Sequence, residues 1–88
     1  MRIAVCDDNK TELEKIKSCF WGLHEHCTEC RYFVSAIDVL STEMPTQDMY
    51  ILDIEMPDMN GLELAKKIRE KDSRALFVFL TSYTKYMK

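Results

Sequence analysis

The chain has 88 residues, enough for one small domain with a thin core. A 47% hydrophobic and 31% charged composition fits a folded globule, and a net charge of −3 argues against a phosphate-binding nucleic-acid surface. No apolar run approaches the ~18 residues of a membrane span, and the start Met1-Arg-Ile-Ala-Val-Cys-Asp-Asp8 is no export signal. The expectation is a cytoplasmic protein in which Cys6, Cys19, Cys27 and Cys30 are reduced thiols.

Arg2–Cys6 contains a short continuous apolar run, Ile3-Ala4-Val5, suited to a strand buried on both faces. Asn9 stands three residues before Glu12, which predicts a helix N-cap with its reciprocal acid. Leu13, Ile16, Phe20 and Leu23 then follow at helical spacing. Glu29–Val34 reads as a second strand, and Ser35 with Asp38 caps a second helix whose apolar side is Ala36, Val39 and Leu40, ended by Pro45. Met49–Leu52 is the third strand. Leu62–Lys71 is the third helix, with Leu62, Leu64, Ala65 and Ile68 inward and Glu63, Lys66, Lys67 and Arg69 outward. Ala75–Leu80 is the fourth strand and the most apolar, with Phe77 and Phe79 expected in the core beside Tyr50. Cys6 and Cys19 are read as core packing as well.

Strands alternating with helices predict βαβ units and a parallel sheet covered on both faces. In such a sheet all strands end on one edge, where loops form a crevice. The first strand ends in Asp7-Asp8 and the third in Asp53, so three carboxylates are expected at that edge. Two charges ~4 Å apart at an effective dielectric near 20 repel by about 4 kcal/mol, a large fraction of a small domain's stability. A hard divalent cation with oxygen ligands relieves that repulsion best, and Mg²⁺ takes one or two carboxylates with waters and phosphate oxygens. Thr81 and Ser82 follow the fourth strand and add hydroxyls at the same edge. Carboxylates, a Mg²⁺ site and a hydroxyl point to phosphoryl transfer onto an Asp nucleophile. Asp53 fits that role, because it stands alone at its strand end while Asp7 and Asp8 form a pair suited to metal.

Taken together, Asp7-Asp8, Asp53-Ile-Glu-Met-Pro-Asp-Met-Asn-Gly61 and Leu80-Thr81-Ser82 resemble the receiver domain of two-component response regulators. The resemblance implies a flavodoxin-like (CheY-like) doubly wound parallel α/β sheet with strand order 2-1-3-4. It implies that Asp53 accepts a phosphoryl group from a sensor histidine kinase. It also implies that Asp7, Asp8, Asp53 and the backbone carbonyl of Glu55 hold Mg²⁺, and that Thr81 is the switch hydroxyl. Pro57 and Gly61 would shape the loop after the acceptor. The ending Phe79-Leu-Thr-Ser-Tyr-Thr-Lys-Tyr-Met87 is similar to receivers that precede LytTR-type DNA-binding domains, which extends the expectation to transcription regulation. Receivers continue through a fourth helix, a fifth strand bearing a lysine, and a fifth helix. Lys85 and Lys88 follow Thr81 too soon to be that lysine, so residues 1–88 are expected to form a receiver incomplete at its C-terminus. The apolar fourth strand is then an open sheet edge through which a homodimer could form.

Two other readings stand beside this one. The first is a pseudo-receiver that keeps the fold without cycling phosphate. The second is an aspartyl-nucleophile phosphatase of the haloacid-dehalogenase type, which Glu55-Met56-Pro57 fits poorly after Asp53. His24, His26, Cys27 and Cys30 include a Cys-x-x-Cys, but they fall in a helix-to-strand connection opposite the acidic crevice and read as structural. The basic run Lys66, Lys67, Arg69, Lys71 is interspersed with Glu63 and Glu70 and reads as a solvated helix face.

Overall fold

The computed structural model describes residues 1–20 and 29–81. The strands are β1 (Arg2–Cys6), β2 (Glu29–Phe33), β3 (Met49–Asp53) and β4 (Leu76–Leu80). The helices are α1 (Lys10–Phe20), α2 (Ala36–Ser41) and α3 (Gly61–Lys71). All strand pairings are parallel, in the order β2-β1-β3-β4. The predicted alternation and strand order therefore hold, with strand and α3 boundaries shifted by at most a residue and α2 ending earlier than Pro45.

The sheet separates two apolar layers because successive side chains along a strand point to opposite faces. On one face Ala4, Cys6, Tyr50 and Leu52 pack with Ala36 and Val39 of α2 and Leu64, Ala65 and Ile68 of α3. On the other, Ile3, Val5 and Ile51 pack against Leu13 of α1, with Ile16 half-buried beside them. β1 and β3 occupy the middle of the sheet, which is why both of their faces had to be apolar. Register then sets the site: Ala4 lies level with Tyr50, Val5 with Ile51 and Cys6 with Leu52. One step further along both chains come Asp7 and Asp53.

The helices start where their caps dictate. Asn9 Oδ1 accepts from Glu12 N at 3.1 Å, Ser35 Oγ from Asp38 N at 3.1 Å, and Asn60 Oδ1 from Glu63 N at 2.9 Å. α2 stops at Ser41, ahead of Pro45, because Thr42 turns to extended backbone while its N–H and hydroxyl both donate to the Asp38 carbonyl.

Two burial expectations are corrected. Leu62 is 48% exposed, because α3 begins at Gly61 and its buried stripe runs through Gly61, Leu64, Ala65 and Ile68. Phe79 is 37% exposed, because β4 lies at the end of the sheet order and, among the described residues, has a strand on one side only. Tyr50 and Cys6 are buried as expected, and Phe77 is half-buried against the first layer. The cation of Arg69 lies 4.7 Å from the Phe77 ring centre, so part of the basic face of α3 serves as packing. Leu23, His24, His26 and Cys27, and the side chains of Cys19 and Phe20, fall outside the described part, while Cys30 is half-buried beside the second layer.

Candidate functional site

Asp7 leaves β1 tied down at two points. Its N–H donates to the Phe33 carbonyl at 3.0 Å, and its Oδ1 accepts from Asn9 N at 2.9 Å. Asn9 in turn caps α1 through its side chain and donates nothing of that geometry to chance: its carbonyl accepts the first helical bond from Leu13 N at 3.0 Å. A carboxylate thus sits at a fixed place between a sheet end and a helix start. Asp8 follows it and is exposed.

Asp53 ends β3, paired with Leu80 of β4. The backbone beyond it is clamped, with Ile54 N donating to the Leu80 carbonyl at 3.1 Å and Gly61 N to the Ile54 carbonyl at 2.8 Å. Gly61 is required here by space alone. A Cβ at this position would lie 2.3 Å from the Asp53 carbonyl oxygen, well inside contact distance. The α3 start is therefore pressed directly onto the Asp53 backbone.

The outcome is a cluster in which one carboxylate oxygen each from Asp7, Asp8 and Asp53 lie within 4.8 Å of one another. Asp7 and Asp53 are each only 5% exposed. Burial raises the Asp7 carboxyl above its ordinary range, the Asn9 N–H opposes this, and the charge of Asp8 reinforces it. A hydrogen bond shared with Asp53 lowers it again, and Glu12 adds a further upward push. The neighbouring Cys6 thiol is pushed up to about 12, mainly by burial and then by Asp58, Asp7, Asp53 and Asp8. Cys6 is thus held as an inert thiol, in Sγ–Sδ contact with Met56 at 3.5 Å.

Crowded, half-desolvated oxygens of one sign are the donor set of a hard divalent cation, and they fit Mg²⁺ better than a thiophilic metal. Thr81 is exposed and directly follows Leu80, the sheet partner of Asp53, so its backbone leaves the sheet at the same rim. Glu55 is exposed two residues beyond Asp53.

Three residues of this region escaped the sequence reading. Met56 is buried under the loop against Cys6. Asn60 caps α3, and its Nδ2 reaches Glu63 Oε1 at 3.4 Å; the Asn-x-x-Glu spacing is a capping-box signal that was there to be read. Asp58 reaches out of the loop to Ile37 of α2, a contact across the fold that no local pattern encodes.

Comparison with known proteins agrees with this fold. The response regulator receiver domain family matches residues 3–88. An uncharacterized response regulatory protein of Yersinia pestis is 33% identical over 98% of this chain and 36% of its own length. A chemotaxis protein CheY homolog of Campylobacter jejuni is 40% identical over 78% of this chain and 53% of its own. The chain thus spans about half the length of such relatives or less. Among solved structures, the response regulator TrrA of Thermotoga maritima in complex with Mg²⁺-BeF superposes with a TM-score of 0.77, at 36% identity over 98% of this chain and 73% of that one. The BeF3-activated DrrB receiver domain gives a TM-score of 0.78 at 29% identity, over 91% of this chain and 64% of that one. The chain belongs to the response regulator receiver domain family.

Proposed function

We propose that this receiver, a signalling switch by family, takes a phosphoryl group from a sensor histidine kinase onto Asp53. The observation that supports this most is the meeting of three carboxylate oxygens within 4.8 Å at the sheet edge, with Asp53 itself buried and its backbone clamped. Asp7, Asp8, Asp53 and the Glu55 carbonyl are the residues that would hold Mg²⁺. When bound, the ion supplies positive charge beside the phosphoryl oxygens, which is the main need of this chemistry.

In this reading an Asp53 carboxylate oxygen attacks phosphorus, a new O–P bond forms, and the donor's bond to phosphorus breaks. The rigid backbone around Asp53 holds that oxygen still, so little orientation is lost on reaction. Thr81 then donates its hydroxyl to a phosphoryl oxygen from the neighbouring strand. The module works in the cytoplasm, where kinase and phosphodonors are found. The poor fit of Glu55-Met56-Pro57 to a phosphatase signature, noted above, leaves Asp53 without a second acid suited to turning over a foreign substrate.

The test is incubation with Mg²⁺ and a small acyl-phosphate donor, followed by intact-mass and peptide mapping. A base-labile phosphoryl increment on Asp53, absent in Asp53→Asn, is expected. A folded chain that gains no increment contradicts the proposal and favours a pseudo-receiver. Steady hydrolysis of a phosphomonoester would instead favour the phosphatase.

A further inference from the structure

Helix α2 has only six residues, Ala36–Ser41, too few to hold together on backbone hydrogen bonds alone. Its first-turn N–H groups need acceptors from outside the helix. Ser35 Oγ supplies one, to Asp38 N. The other comes from far along the chain: Asp58 Oδ2 accepts from Ile37 N at 2.9 Å. A carboxylate at that position also gains from the helix dipole.

Asp58 belongs to the 54–60 segment that carries the chain from Asp53 into α3. Several other hydrogen bonds and contacts of that segment lead back to the sheet end or into α3. Ile54 bonds to Leu80, Gly61 to Ile54, Met56 touches Cys6, and Asn60 caps α3. Asp58 gives the segment a directional hydrogen bond to the first turn of α2, beside the apolar packing of Met56 and Met59 in the layer that includes Ala36 and Val39. The strand before α2 is bound to the other acid source as well, because the Phe33 carbonyl accepts from Asp7 N two residues before Ser35. The start of α2 is thus where chain from both sides of the acidic cluster meets.

We propose that Asp58 is a positioning residue that couples the acidic pocket to α2: a change at Asp53 shifts the 54–60 segment, and the Asp58 carboxylate carries the shift into the first turn of the helix. The proposal rests on Asp53 being the reacting group. It makes the exposed face of α2, where Ile37 is 57% exposed, a surface that reports the state of the pocket.

Amide NMR of the chain tests this with two perturbations of the pocket, magnesium alone and the substitution Asp53→Asn without metal. In the wild-type chain the Ile37 amide signal shifts with the same Mg²⁺ midpoint as those of Asn9 and Ile54, and it shifts again in Asp53→Asn. In Asp58→Ala, hydrogen exchange at Ile37 is about fivefold faster, as expected for a lost cap. Both responses at Ile37 disappear there, while Asn9 and Ile54 still respond. Asp58→Asn, which keeps a side-chain oxygen, restores them; a contact that merely stabilised α2 would leave Ile37 indifferent to the pocket in every variant. The proposal is overturned when Ile37 stays still in the wild type while Asn9 and Ile54 move, or when it responds equally in Asp58→Ala. Should magnesium move no amide at all, the metal reading fails by itself. The Asp53→Asn arm then decides alone, with a Asp58-dependent shift at Ile37 supporting the coupling and its absence refuting it.

Discussion

β3 and β4 are adjacent and parallel, and β4 is the more apolar in sequence, yet they occupy different physical settings. β3 has a strand on each side and packed side chains above and below, with Leu52 fully buried. β4 is paired with β3 alone among the described residues, and it leaves Leu76, Val78 and Phe79 between 37% and 59% exposed. The central strand holds Asp53 where rigidity and desolvation coincide. The edge strand contributes a rim, with Phe77 and Leu80 half-buried against the two layers and its other apolar residues exposed.

The contrast between the two strands is exposed most strongly by a pair of substitutions. Leu52→Ala should cost about 3 kcal/mol by leaving a cavity in a closed core. Val78→Thr on the edge should change stability by less than about 0.5 kcal/mol. Urea midpoints of the two variants check this, and equal costs would mean that β4 is as enclosed as β3. Next in size is Gly61→Ala, which drives a methyl into the Asp53 carbonyl and should cost about 2–3 kcal/mol. It should also weaken Mg²⁺ binding in a calorimetric titration, since relief requires Asp53 or α3 to move.

Asp7→Asn should act in the opposite direction. Because burial raises the Asp7 pKa, the folded chain holds that proton more tightly than the unfolded chain does. The resulting stability is full below the unfolded value near 3.8 and is lost as pH rises through the higher folded value. Metal-free protein is therefore expected to lose stability as pH climbs from about 4 toward neutrality. Asp7→Asn should remove that slope and leave the metal-free protein more stable than the wild type at pH 7, as read from thermal melts across pH. The smallest effect on folding belongs to Val78→Lys at the edge. An open apolar edge favours pairing with another chain, so the wild type is expected to self-associate at high concentration and the lysine to reduce this in sedimentation velocity. A wild type that stays monomeric throughout would show that edge exposure has no such consequence here.

Much of this was legible in the sequence because the informative residues act locally. Apolar runs ending in Asp7-Asp8 and Asp53 announce strands that deliver acids to one rim, and Asn9 and Ser35 announce helix starts. Burial at the periphery was harder to read. Leu62 and Phe79 are as apolar as their buried neighbours, and their exposure follows from where α3 begins and which strand lies last in the sheet. Met56 and Asp58 illustrate the other limit. Each acts on a residue far away in the chain, Cys6 and Ile37, and only the assembled fold brings those partners together.

The central claim is that Asp7, Asp8 and Asp53 form one divalent-cation site beside Thr81. Paramagnetic relaxation by substoichiometric Mn²⁺, read amide by amide and reversed by excess Mg²⁺, tests it most directly. Asp8, Asn9, Ile54 and Thr81 are expected to broaden first and together, and Asp53→Asn to weaken the effect. Broadening centred on another part of the chain, or undiminished in Asp53→Asn, would contradict it.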